Sequence, residues 1–579
     1  NEKKFIIKQV VFFLKNYQKI EREVIMLYKK NLFFAVFATL FLASCDLDLS
    51  LTTEADSSTT ASTVSWDASQ SNIFEISADV TTVNISNATS GKTLYFVRRN
   101  TGSETISSTN IRTLTAASQR QADSDASEDF LEFDEEIPNL QKGFAGCFIP
   151  EQIDLKNYAS SARSASVSYE TAISGKVGET KEIYVDNNTD ISTFVKKSAT
   201  LRAVGTYCYV WVVDDFYSST AGENKVDSAI AQEYADAFDK MYPMITNVFG
   251  NESDEIYYYS KWRNMEDYSS TGTKINIVVY DIGNDYSLSE NQQCGIVGYF
   301  YEKDYIYNYS EKGVTSNNGK YFYIDSGYAN SNFDTTISTL AHEFQHMVNY
   351  NQKKVLNNLT SGQWYNEMLS MLCEDMMQKH LGIKDEDSPK ARTTTFNAYY
   401  YYSGISEYNS KNQICSYATA FSFGSFIARN FGGAELVQKI SKNSYVDNDS
   451  ITNAVNSLNG TEYTYDDLFE KYLLALFGDS TYTHNKDAVC TLEYNSGDYS
   501  SAPYEYPMTA YNIFGSEYSF SVKGEEYCGP AIFKYNAESV DLRPENGILI
   551  HGIGTFSGSS VSVSFSSGTS AEKIYLIIK

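Results

Sequence analysis

Histidine, tryptophan and positive charge are all scarce in this 579-residue chain. It has 5 His and 4 Trp, and 46 Lys and Arg face 73 Asp and Glu for a formal net charge of −27. A shortage of cations excludes a nucleic-acid binder held by phosphate contacts. The eight cysteines, Cys45, Cys147, Cys208, Cys294, Cys373, Cys415, Cys490 and Cys528, contain no Cys-x-x-Cys pair. That spacing argues against a zinc ribbon and against a dense disulfide framework. No Gly-x-Ser-x-Gly occurs, so a serine hydrolase has no support. No internal repeat is visible. The apolar run Leu32 to Ala43 is shorter than the roughly 20 residues of a membrane-spanning helix.

What is present is enough apolar residue for real cores, 42%, and an unusual 47 Tyr, which suits half-buried strands. The length predicts two to four domains. Met26, Lys29 and Lys30 lead into the short apolar run, which ends Leu42-Ala43-Ser44-Cys45. This has the form of a bacterial signal peptide with a lipobox, over 26–45. Cys45 is then the lipidated residue, and the protein is expected in the cell envelope, tied to a membrane. Residues 1–25 contain no Met and are read as an upstream artefact. Residues 46–72, rich in Ser, Thr and Asp, are expected to be a disordered tether.

Alternating patterns such as FEISADVTTVNIS and KTLYFVRRN predict β-rich modules over 73–213, with an acidic linker near 120–137. Within them, Asp186 to Asp190 (DNNTD) offers carboxylates for a structural calcium ion, but nothing else supports one and an ordinary Asx turn is the better reading. From residue 214 to 500 the pattern changes. A helix with Ile230, Tyr234, Ala237, Phe238 and Met241 on one face precedes the buried strand KINIVVYDI, and helices dominate from Phe333 to about Asp479. After Pro503 strands return, predicting a C-terminal β domain over 504–579. The fold class is therefore α+β and multidomain.

Chemistry concentrates in TTISTLAHEFQHMVNY. Ile337, Leu340, Ala341, Phe344 and Val348 form one apolar stripe of a helix capped by Asp334. His342 and His346, four apart, are neighbours on another face, and two imidazoles one turn apart can share a tetrahedral Zn²⁺. Glu343 sits beside them as a general base. The next helix opens with Thr360 and Gln363 as a capping box and aligns Glu367, Ser370 and Glu374 on one face. Packed antiparallel on the first, it would deliver Glu367 as third metal ligand, with Glu374 as an outer acceptor.

AHEFQHMVNY followed by WYNEMLSMLCEDM resembles the hyicolysin family of zinc metallopeptidases, of the gluzincin type. KINIVVYDI, GYFYEKD, KYFYID and YATAFSFGSFIARNFGG agree, so the resemblance covers about Val177 to Gly433. It implies a gluzincin-like catalytic domain, a mixed-sheet lobe plus a helical lobe, flanked by small β-sandwich-like modules. It implies one Zn²⁺ on His342, His346 and Glu367. Met368 departs from the family's usual Gly, and Ser370 stands where some gluzincins use an acid to orient a ligand histidine. Tyr417, opening its helix, is the candidate oxyanion donor. The strand around Gly298 to Tyr301 is expected to pair with an extended substrate. The implied activity is a surface-anchored endopeptidase acting on protein or peptide. The alternative is a non-enzymatic adhesin or binding protein on a peptidase-derived scaffold. His380, His484 and His551 stand alone and are expected to be structural or exposed.

Overall fold

The computed structural model describes residues 62–110, 130–131, 150, 153, 175–254, 274–287, 295–493 and 503–579, except 78, 189–190, 536–539, 557 and 567–568. It also describes the backbone of 114–118, 146–147, 158–160 and 257–259. The signal segment, Cys45 and most of the acidic linker lie outside the described residues. Among the described residues, no helix is long and apolar enough to cross a membrane.

A seven-stranded mixed sheet carries the centre of the fold. Its strands are β1 (Gly146–Cys147), β2 (Thr180–Asp186), β3 (Phe194–Val204), β4 (Cys208–Val213), β5 (Ile275–Tyr280), β6 (Ile296–Phe300) and β7 (Tyr321–Asp325), in the order β1-β6-β7-β5-β4-β3-β2. The pairs β4–β5, β5–β7 and β1–β6 are parallel, whereas β6–β7, β3–β4 and β2–β3 are antiparallel. Strands on both sides of the expected boundary between 213 and 214 thus share one sheet. The reason is the parallel β4–β5 pair, which needs a crossover, and helix α1 (Ser228–Phe249) supplies it. Asp227 caps α1 by accepting from the N–H groups of Ala229 and Ile230. Gly250, at φ 98°, ends it.

β5 and β7 are buried along their whole length, as strands covered on both faces must be. On one face, Ile277, Val279, Phe322 and Ile324 join the core of α1 and of helix α2 (Phe333–Asn349). Phe238 of α1 lies 5.8 Å from Phe322 and 5.1 Å from Phe344 between ring centroids. On the other face, Trp211, Tyr280, Tyr299 and Tyr323 form an aromatic layer, with Tyr299 and Tyr323 stacked at 4.4 Å. Here the abundant tyrosine is core material rather than a half-buried coat. Helices α3 (Gln363–Leu381) and α4 (Gln413–Phe431) then pack in turn, α3 on α2 and α4 on α3.

The flanking strands do not form separate N- and C-terminal modules. Thr93–Asn100 pairs antiparallel with Gly547–Thr555 on one side and Glu572–Ile578 on the other. Val80–Ser86 pairs with Val561–Phe565. The two resulting sheets share a core that includes Trp66, Phe96, Phe565 and Leu576. They make one double-layered unit from both ends of the chain. Part of the expected 46–72 tether is a packed strand instead. Ser62–Asp67 is a strand parallel to Val80–Ser86, held by buried Trp66, which stacks on Phe74 at 5.6 Å.

Candidate metal centre

Helix α2 starts one residue before Asp334, which sits in its first turn. Asn332 precedes the helix without a side-chain cap. The carboxylate of Asp334 there complements the helix dipole. Its apolar stripe, Ile337, Leu340, Ala341, Phe344 and Val348, is buried. Helix α3 starts at Gln363 after Gly362, and Thr360 does not cap it. The Gly362 N–H donates instead to Asp447 at 2.8 Å. The two helices run antiparallel. Ser338 donates to Glu374 at 2.6 Å near one end, and Asn349 donates to Asn366 at 2.8 Å near the other.

Between these ends His342, His346 and Glu367 converge, all three buried, with one ligand atom of each within 4.8 Å of the others. His342 Nε2 is 3.1 Å from Glu367 Oε2, and His346 Nε2 is 3.5 Å from Glu367 Oε1. Ligands of a tetrahedral Zn²⁺ lie about 3.3 Å apart when each bond is about 2.0–2.1 Å. The observed distances bracket that value, and two histidines with a carboxylate is a known catalytic zinc donor set.

The far side of each imidazole is fixed. His342 Nδ1–H donates to Glu374 Oε1 at 2.7 Å. Ser370 Oγ donates to Gln345 Oε1 at 2.6 Å and lies 3.0 Å from His346 Nδ1, whose N–H it accepts. With both Nδ1 atoms so engaged, each Nε2 lone pair faces Glu367. Burial pushes His346 down to about 4, against the opposing pull of Glu367, so the ring is neutral near pH 7, as a ligand must be. Burial raises the Glu367 carboxyl, but His346, His342 and a hydrogen bond from Tyr417 outweigh it and hold the group below its ordinary range.

Glu343 is fully buried beside the pair. Strand β6 runs against it at Gly298. A Cβ on Gly298 would stand 2.8 Å from Thr339 Cγ2 and 3.2 Å from Glu343 Cγ, so only glycine allows this approach. Tyr417, in the first turns of α4, has its ring 6.4 Å from that of His342, and the Arg392 guanidinium lies 4.9 Å over the Tyr417 ring. The structure therefore brings His342, His346, Glu343, Glu367, Ser370, Glu374 and Tyr417 into one cluster. Sequence reasoning missed Ser338 and Arg392, and it named Gly298 only as part of a substrate-pairing strand. GYFYEKD contains the glycine, but nothing local marks it as the contact with Glu343.

Asp186 turns away from a calcium role. Its carboxylate accepts from Tyr280, from the Gly283 N–H at 2.7 Å and from Tyr299 at 3.5 Å, and burial pushes it up to about 6. Asn188 accepts from the Thr193 N–H at 3.1 Å, five residues on, a longer reach than the two residues of an Asx turn. Strand β6, expected to await a substrate, already carries β1 beside Ile296 and Gly298.

Residues 186–512 match the family described as Peptidase M30. The chain is 27% identical over 271 residues to the neutral metalloprotease ShpI of Staphylococcus hyicus, a match covering 45% of this chain and 54% of that protein. The chain thus spans about half the length of this curated relative. A crystal structure of Legionella pneumophila aminopeptidase A in complex with aspartic acid aligns with 55% of this chain and 30% of its own, at 10% identity and a TM-score of 0.27. A likeness that slight assigns no roles.

Proposed function

The chain belongs to the peptidase M30 family, and from that premise we propose that it is a zinc-dependent endopeptidase. The observation that carries this reading is the buried His342–His346–Glu367 convergence with Glu343 alongside. Zn²⁺ held by those three residues would supply Lewis acidity toward the scissile carbonyl and lower the pKa of a water to about 7. Glu343 takes the proton of the attacking water and returns it to the leaving amine. Glu374 and Ser370 keep the two imidazoles in the tautomer that turns Nε2 inward. Tyr417, close to His342 and hydrogen-bonded to Glu367, is assigned as hydroxyl donor to the developing oxyanion.

The test is Glu343→Gln. Glutamine keeps the shape but cannot take the proton, so peptide cleavage should fall by about a hundredfold to ten-thousandfold while metal content and Tm hold. A chelator should abolish wild-type cleavage, and zinc should restore it. A variant that cleaves as well as wild type rejects Glu343 as base. A wild type that cleaves nothing in a broad peptide library leaves a binding protein on a peptidase scaffold. We assign the protein to the cell envelope, anchored through Cys45, on the lipobox alone. Labelled palmitate should enter wild type and not Cys45→Ala, and an unlabelled wild type rejects the anchor.

A further inference from the structure

The cleft beside the metal ligands is lined by His346, Glu367, Tyr350, Glu302, Lys354 and Pro150, among others. Glu302 follows β6 closely in the chain, and Lys354 follows α2. Lys354 Nζ lies 2.7 and 2.8 Å from the two Glu302 oxygens, with the side chains only 15% and 8% exposed. A shielded ion pair returns little stability for its desolvation, so its position asks for a use. Both members also hold one residue, Ile153, by its main chain. Glu302 Oε1 accepts the Ile153 N–H, and Lys354 Nζ donates to the Ile153 carbonyl at 2.6 Å.

An acceptor and a donor that grip the N–H and C=O of a single residue recognise extended backbone whatever its side chain. An endopeptidase needs that for varied sequences. The same strand edge is followed upstream. Gly146 and Cys147 pair with Ile296 and Gly298, and Gly298 abuts Glu343. The chain's own backbone therefore meets β6 at the level of Glu343 and again meets the ion pair at Glu302.

We propose that Glu302 and Lys354 are the main-chain clamp of the peptide-binding cleft, and that Ile153 of this chain fills the clamp until a substrate displaces it. The proposal rests on the peptidase reading for its substrate, but its geometry is read without turnover. An internal competitor acts at an effective concentration in the millimolar range, so it holds out weak outside peptides. Proline at 153 removes the N–H that Glu302 accepts and weakens the competitor without touching the clamp.

The experiment uses the full, zinc-loaded chain carrying Glu343→Gln, so that the probe is not consumed. The probe is a fluorescein-labelled synthetic peptide of residues 143–155 carrying Cys147→Ser, which keeps its thiol off the metal, and binding is read by fluorescence anisotropy. Adding Ile153→Pro should tighten the probe by about tenfold, whereas Ile153→Val, which keeps the amide, should change nothing. On top of Ile153→Pro, Glu302→Ala or Lys354→Met should weaken it about tenfold, and Lys354→Arg should keep most of the affinity. Metal content should stay level across the set. Tm should stay level in the Ile153 variants and in Lys354→Arg, whereas Glu302→Ala and Lys354→Met each leave one buried charge unpaired and should lower Tm. With Glu343 restored and a quenched form of the probe, Ile153→Pro should lower KM and leave kcat unchanged. Binding indifferent to Ile153→Pro, or tight binding that survives Lys354→Met, overturns the clamp. Clamp-dependent binding without any cleavage upholds the clamp and sinks the peptidase reading instead.

Discussion

His342 and His346 on one side, and His484 and His551 on the other, are comparably hidden from water. His484 donates Nε2–H to the Ser422 carbonyl at 2.9 Å, with Phe426 and Tyr472 around its ring. His551 accepts from Arg98 at 2.7 Å, and its Nδ1 faces the Lys534 carbonyl. Burial pushes His484 down to about 4 and His551 to about 3, much as it pushes His346 to about 4. Burial and a depressed pKa therefore do not mark a metal site. What differs is the company. His342 faces carboxylates of a second helix on both edges, and His346 faces a carboxylate and a hydroxyl of that same helix, whereas the second pair faces backbone carbonyls and an arginine. His380 is a third case, half-buried with Nε2 donating to the Glu505 carbonyl at 2.8 Å.

The comparison breaks most sharply at Glu367. Glu367→Ala should abolish stoichiometric zinc binding, read by metal analysis after dialysis, whereas His484→Gln and His551→Gln should leave it intact. A metal-loaded Glu367→Ala would mean that the convergence is not the site. Next comes Glu374→Ala, which frees His342 Nδ1 and should cost about a hundredfold in zinc affinity by competition with a chelator. A loss as complete as that of Glu367→Ala would make Glu374 a ligand.

A smaller effect sharpens the other half. His484 has a folded pKa near 4 against 6.5 when unfolded, so the unfolded chain binds its proton first. Stability from this group is full above pH 6.5 and is lost as pH falls toward 4. Between pH 6.5 and 5 the loss is about 2 kcal/mol. In urea unfolding, the advantage of wild type over His484→Gln should shrink by that amount, and a pH-independent difference would show that His484 does not stay neutral. The smallest change is expected from Ser370→Ala, about tenfold in zinc affinity, because a hydroxyl orients His346 where Glu374 orients His342. Equal costs at 370 and 374 would erase the distinction between the two supports.

Local periodicity made much of this readable. The i, i+3, i+4 stripe predicted α2, and i, i+4 spacing made His342 and His346 neighbours before any coordinates. Glu367, Ser370 and Glu374 were legible as one face of α3 for the same reason. What was not legible lies in distant pairing and close approach. Nothing in TLYFVRRN says that both its neighbours come from residues after 546, because strand partners at that separation leave no local pattern. Trp66 made a strand of part of an apparent tether by stacking on a residue eight positions away. Asp334 and Thr360 looked like caps by type, but Asn332 and Gly362 stand at those positions. Gly298 and the Ile153 contact depend on where the strand edge meets α2, which composition does not encode.

The interleaving of the two chain ends also sets an order of events during synthesis. Thr93–Asn100 is flanked on both sides by strands that emerge about 450 residues later. At roughly 5–20 residues per second that is a wait of about 20–90 s. Throughout it, the backbone of 93–100 lacks both its native neighbours, and the helices that bear His342 and Glu367 leave the ribosome before those neighbours do. A strand edge open that long is a target for mispairing, so the growing chain should depend on a holding chaperone at its N-terminal strands more than at its metal centre.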